Sequence, residues 1–158
     1  MILREAVPED RPALVCFMAA LQDFERGLEP NRTPGAEMAD EHLAVLESWA
    51  AEHPGGGVLV AEVDGRLAGF AISGASTDRG TYLPPDTRTV GWISDLWVEP
   101  DFRASGIAGK LIAAAEARFR AAGLKRMEIA AVAGNAVALR LYESLGYSRY
   151  EITLSKRL

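Results

Sequence analysis

One cysteine, two histidines and no long apolar run define what this 158-residue chain does without. With Cys16 alone, no intrachain disulfide and no thiolate metal cluster can form. Cys16 stands at a helical position with no activating neighbour in the sequence, so it reads as a buried small hydrophobe rather than a nucleophile. His42 and His53 are far apart and lack a locally spaced carboxylate, which leaves little to build a metal site from. Both read as surface or helix-end residues. No stretch approaches membrane-spanning length, and no charged-then-apolar leader pattern opens the chain, so a cytoplasmic location with no membrane partner is expected. The net charge of −5 comes without a basic stripe, which argues against nucleic acid as a partner.

What is present is enough for one domain over residues 1–158, with 49% hydrophobic and 25% charged residues. The charge is uneven. Residues 1–57 carry eleven Asp/Glu against four Lys/Arg, net −7, and residues 58–158 carry eleven against thirteen, net +2. The acidic part either favours a cationic ligand or is a solvated face.

Met1–Ala6 reads as a strand closed by Pro8. Leu14, Phe17, Met18, Leu21 and Phe24 then recur at helical spacing, predicting a helix from Glu9 to about Glu25. The Gly-, Pro- and Asn-rich run 26–36 predicts a loop, and Glu25 at its edge with Glu29 and Arg32 in it are either ligand contacts or solvated charges. A second helix is expected over Glu37–His53, and a hairpin over Val58–Val63 and Leu67–Ser73 around Asp64-Gly65. The strand Val90–Val98 precedes a helix that closes at Ala122-Gly123. A buried strand over Lys125–Val132, a helix from Asn135 to Gly146 and a final strand over Tyr147–Lys156 complete the order β-α-α-β-β-β-α-β-α-β.

The stretch Val90–Leu111 is strand, turn, helix. A helix start presents backbone N–H groups without intrahelical partners, and the peptide dipole favours an anion there. Gly106 and Gly109 remove side chains that would hold a diphosphate away, and Arg103 and Lys110 add positive charge. A Walker A loop would need Gly at 104 and Ser or Thr at 111, where Ala104 and Leu111 stand. The glycine spacing fails the dinucleotide fingerprint as well.

What fits is Arg103-x-x-Gly106-x-Ala108 directly after a strand, followed downstream by Asn135-x-x-Ala138-x-x-x-Tyr142 and Leu145-Gly146-Tyr147. Here the chain resembles the GNAT superfamily of acetyl-CoA-dependent N-acetyltransferases, closely over about residues 60–158 and only topologically before them. The resemblance implies a mixed α/β fold, a central mostly antiparallel sheet flanked by helices. Residues 1–57 would then form the acceptor side and 58–158 the acetyl-CoA-binding core. It implies pyrophosphate contacts from Arg103, Ala104, Ser105, Gly106, Ile107, Ala108, Gly109 and Lys110. It also implies a carbonyl-polarising backbone donor from a strand bulge near Leu96, Trp97 or Val98, with the pantetheine arm alongside. One departure stands out: Ala104-Ser105 occupies a place where the family commonly has Gly followed by a basic or polar residue.

Asp95 is a lone acid in an apolar strand, so it is either a satisfied core carboxylate or a group facing a wet cleft. The resemblance implies a base, often acting through water, with Glu99 in reserve. Tyr142 lies two helical turns after Asn135, so both can face one cleft. Tyr142 is either a proton donor to the departing sulfur or core packing; Asn135 either holds a pantetheine amide or caps its helix. The expected function is transfer of an acetyl group from acetyl-CoA to a primary amine by direct attack in a ternary complex, without a metal. The acidic N-terminal part leans toward a small cationic acceptor. The competing readings are a peptide or protein amine as acceptor, a non-catalytic CoA-sensing or partner-binding module, and a phosphate-binding protein unrelated to CoA. An exposed final strand would suit a homodimer by edge pairing.

Overall fold

The computed structural model describes residues 1–156 and 158. Among the described residues five strands form one sheet in chain order: β1 (Ile2–Glu5), β2 (Gly57–Val63), β3 (Arg66–Thr77), β4 (Thr89–Val98) and β5 (Met127–Ile129). The first four pair antiparallel, and β5 joins β4 in parallel. The β2–β3 turn is Asp64-Gly65, both at positive φ (50° and 76°), the left-handed pair that matches a hairpin's twist. Four helices cover the sheet: α1 (Arg11–Leu28), α2 (Gly35–Ala51), α3 (Ile107–Ala121) and α4 (Ala136–Ser144). Helices α1 and α2 meet so closely at Gly35 that a Cβ there would lie 2.2 Å from the Ala19 carbonyl oxygen. Among the described residues no helix is long and apolar enough to cross a membrane.

The alternation of side chains along the strands divides the apolar residues between two faces. One face packs Val60, Phe70, Ile72 and Trp97 against Leu14, Met18 and Leu43 of α1 and α2. The other packs Ala71 and Ile93 against Ile107, Leu111, Ile112 and Phe119 of α3, with Leu141 and Tyr142 of α4 at its margin. Deleting a buried side chain such as Phe70 or Leu14 would cost about 3–5 kcal/mol.

The β3–β4 register slips once. Asp95 pairs with Ile72, but Ile93 pairs with Ser73, so Ser94 is an extra residue with no partner on β3. A one-residue slip exchanges faces. Unbroken alternation would send Asp95 to the α3 core with Ile93; the bulge gives it the face of Trp97, Ile72 and Phe70, toward α1 and α2.

The predicted element order holds through α4, with two corrections. The strand expected over Lys125–Val132 shrinks to Met127–Ile129, because only those residues find partners on β4. The final strand expected over Tyr147–Lys156 is not formed; those residues carry no strand pairing. Tyr147 and Tyr150 are held by side chains instead, the first donating its hydroxyl to Glu116 Oε1 (2.9 Å), the second lying under the Arg126 guanidinium (4.5 Å). Ile152 and Leu154 are exposed, so no buried face fixes a register for the alternating pattern. The edge-pairing argument for a dimer therefore loses its strand.

Candidate active site

Strands β4 and β5 run together for three residue pairs, Gly91–Ile93 against Met127–Ile129, and then part. The gap is a cleft of about 880 Å³, lined by β4 from Trp92 to Val98, by Ile129 at the end of β5 and residues 130–132 after it, and by the start of α3. It continues under α4 and up to the facing sides of α1 and α2.

The half of β4 beyond the bulge is, in effect, an edge. Glu99 N–H donates to Ala68 O on β3 (2.9 Å), and alternation along an antiparallel ladder turns the Trp97 N–H the same way. Leu96 and Val98 consequently direct their N–H and C=O groups into the cleft. The Val98 carbonyl already accepts from Arg103 Nε (3.0 Å), which confirms the direction. Of the three residues considered as backbone donors, alternation selects Leu96 and Val98. Trp97 serves through its ring, which carries the Arg103 guanidinium at 4.6 Å and donates Nε1–H to Glu99 Oε1 (2.8 Å). Glu99 is thus engaged by Trp97 and absent from the cleft wall.

At the α3 end the turn 103–106 is held by Arg103 N–H on Pro100 O (3.2 Å) and by the Ser105 hydroxyl on Phe102 O. Gly106, the residue before α3, has φ 81°, which favours glycine. Ala104 also lies in the left-handed region, φ 59°, so the departure noted in the sequence sits where the backbone itself prefers glycine. A Cβ at Gly109 would meet nothing nearer than Leu145 Cδ2 at 3.8 Å; the protein leaves that space open. Arg103, Ala104, Gly106, Ile107, Ala108 and Gly109 line the cleft, whereas Ser105 and Lys110 are exposed outside it.

Asn135 caps α4, its Oδ1 accepting from Ala138 N–H (3.1 Å), and it lines the cleft with its amide NH₂ still to give. The two roles weighed for it are compatible. Tyr142 is largely buried on the same helix; burial first, then the nearby Glu25 charge, pushes its phenol up to about 12. It is a phenol, not a phenolate, at neutral pH.

Asp95 is held above the usual carboxylate range by burial, against the opposing influence of the Ser94 hydroxyl, His42 and Arg32. Glu25 on α1 is also raised, by burial first and by Asp95, and is lowered by Arg32, whose Nη1 lies 2.8 Å from its Oε2. Sequence reasoning named Glu25 and Arg32 but also Glu29, which the cleft does not include. His42, read as a surface or helix-end residue, lines the cleft. The signal was available: Met38, His42 and Leu46 recur at four-residue intervals on α2, and all three face the cleft. On α1 the same phase brings Met18, Leu21, Gln22 and Glu25 there.

Residues 19–147 match the model of the acetyltransferase (GNAT) family. A curated acetyltransferase of Pectobacterium atrosepticum is 35% identical over 101 residues; the match covers 63% of this chain and 64%, just under two thirds, of that relative. Among solved structures, AAC(6')-Iy in complex with the bisubstrate analogue CoA-S-monomethyl-acetylneamine superposes with a TM-score of 0.69 at 20% identity, over 99% of this chain and 97% of that one. A ribosomal-protein-alanine N-acetyltransferase of Brucella melitensis biovar Abortus 2308 gives a TM-score of 0.67 at 18% identity, covering both chains in full. At these identities the likeness to solved structures is one of fold.

Proposed function

The chain belongs to the acetyltransferase (GNAT) family, and from that premise we propose that it moves an acetyl group from acetyl-CoA to a primary amine by direct attack in a ternary complex. The observation that carries this reading is the continuity of one cleft, from the open α3 start at Gly106–Gly109, past the backbone of Leu96 and Val98, to Asp95 and Glu25. The reading makes 1–158 one catalytic domain, with acetyl-CoA held by 58–158 and the acceptor met by α1 and α2. The CoA-bearing ligand named for one structural neighbour supports CoA as the acyl carrier.

The residues divide the work as follows. The N–H groups at the α3 start, with Arg103 beside them, suit the diphosphate of CoA. The Asn135 amide and the exposed ladder groups of Leu96 and Val98 suit the amides of an extended pantetheine arm. An alkyl ammonium with a pKa of about 10.4 must lose a proton before it attacks. Asp95, directly or through one water, accepts that proton, its raised pKa making it a better base than an exposed carboxylate. The nitrogen lone pair then forms the N–C bond and a β4 N–H receives the developing oxyanion; as this collapses the C–S bond breaks and the nitrogen sheds its second proton to solvent. Tyr142 hydrogen-bonds the departing sulfur and passes it the phenol proton, and solvent then reprotonates the tyrosine.

Initial-rate kinetics on Asp95→Asn and Tyr142→Phe test these roles. Each is expected to lower turnover by about 10²-fold or more while acetyl-CoA affinity stays within a few fold. Below its pKa Asp95 is protonated and cannot accept, so the wild-type rate should fall on the acid side at a pH above the ordinary aspartate range, and Asp95→Asn should remove that limb. Full turnover in both variants would discard the assignments.

A further inference from the structure

The acceptor end of the cleft carries a guanidinium as well as its two carboxylates. Among the ionisable side chains of the whole cleft wall, Glu25 and Asp95 stand with two guanidiniums, Arg32 and Arg103. Arg103 belongs to the α3 turn. At the acceptor end the guanidinium is therefore Arg32, and it stands among Gln22, Glu25, Met38, His42 and Asp95.

Its position is built. The loop that carries it is tied at both sides: Arg32 N–H donates to Glu29 O (3.3 Å), and the Arg32 carbonyl accepts from Arg26 Nε (3.1 Å). Gln22 Nε2 donates to Thr33 O (2.9 Å), and the Gly35 N–H donates to Asp23 Oδ1 (2.7 Å). The guanidinium uses Nη1 on Glu25 Oε2 (2.8 Å) and, more distantly, on Gln22 Oε1 (3.4 Å). Among the described residues, its Nε and Nη2 donors have no protein acceptor. An arginine paired with one carboxylate, Glu25, with donors to spare, is poised for a second anion.

A second cationic group on the acceptor would meet the Arg32 guanidinium at this end. A ligand carrying one amine and one carboxylate leaves the charge balance unchanged: its carboxylate takes the spare donors of Arg32, and its ammonium meets Asp95 and Glu25. We propose that the acceptor is a small amine that also bears a carboxylate, an amino acid or a close relative of one, and that Arg32 is the residue that selects it. This rests on the acetyl-transfer reading and narrows its acceptor.

The test is thiol release from acetyl-CoA across matched acceptors: free amino acids, the same molecules as carboxamides, their decarboxylated amines, and a polyamine. Wild-type protein is expected to favour at least one free amino acid over its carboxamide and its amine by about 10- to 100-fold in kcat/KM, the range of a charge-assisted pair. Arg32→Gln should erase that preference mainly through KM, bringing the free amino acid level with its carboxamide and amine while the acetyl-CoA affinity and Tm stay near wild type, and Arg32→Lys should restore part of the preference. Equal or better rates with the amines or the polyamine, or an Arg32→Gln variant that loses all acceptors alike, would overturn the proposal while acetyl transfer stands. Thiol release with no amine of any class would overturn acetyl transfer and this proposal together.

Discussion

Asp95 and Ala104 both occupy conformations or surroundings that cost stability, and each cost points to the cleft. A carboxylate drawn out of water opposes its own ionisation, and the protein meets this only in part, with the Ser94 hydroxyl, His42 and Arg32. Ala104 carries a positive φ of 59° that an L-residue adopts at a cost of about 1–2 kcal/mol. Ala104→Gly relieves that strain but adds backbone freedom to the unfolded chain, worth about 0.5–1 kcal/mol. Thermal denaturation should therefore find Ala104→Gly neutral or more stable by up to about 1 kcal/mol. The same change at Ala108, within the first turn of α3, should cost about 0.5–1 kcal/mol. A comparable loss at both positions would mean that the turn does not hold Ala104 left-handed. The left-handed geometry also explains why the sequence departs from the commoner glycine here without dissolving the turn: one strained residue is tolerable where Gly106 and the bonds to Pro100 and Phe102 fix its neighbours.

At the scale of elements, β4 does two tasks with one irregularity. The bulge at Ser94 turns Asp95 away from the α3 core, and the departure of β5 after Ile129 leaves Leu96 and Val98 with unpaired backbone groups. Deleting Ser94 would restore a regular ladder while keeping Ile93 opposite Ser73 and Asp95 opposite Ile72. The deletion variant should retain a cooperative melt and yet lose about 10²-fold in turnover if the bulge aims the carbonyl-polarising N–H. Unchanged turnover would show that the bulge is structural. Much of this was legible beforehand. The strand-turn-helix of 90–111 and the Asn135 cap carry strong local signals, turn residues and capping chemistry that act within a few positions. The slip at Ser94 was not legible, because a register is a relation between two strands and no residue of VGWISDLWV announces it. His42 was missed for a different reason: it was read as a lone polar residue rather than by its phase with Met38 and Leu46. The last strand failed because alternation of Tyr150, Ile152 and Leu154 predicts a strand only where a face exists to bury it.

For the molecule as a whole, the net −7 of residues 1–57 suggested a field drawing cations to the site. The fold spends much of that charge elsewhere. Asp10 pairs with Arg4, Asp40 and Glu47 with Arg11, and Glu5 with Arg118, all away from the cleft. Of the acidic residues in 1–57, only Glu25 lines it. Whole-chain charge and site charge are thus different quantities. The fold separates its two ligand-facing regions across β4: α1 and α2 on one side, the α3 start and α4 on the other, with Asp95 and the open backbone of Leu96 and Val98 between them. That arrangement suits the proposed transfer, with the acyl donor and the amine on opposite sides of one strand. The most direct measurement of it is the time course of free thiol from acetyl-CoA, with and without added amine, read together with the mass of the amine. Direct transfer predicts thiol release that depends on the amine and is matched, mole for mole, by acetylated amine. Thiol release independent of any amine, or none at all from protein that binds acetyl-CoA, would contradict it.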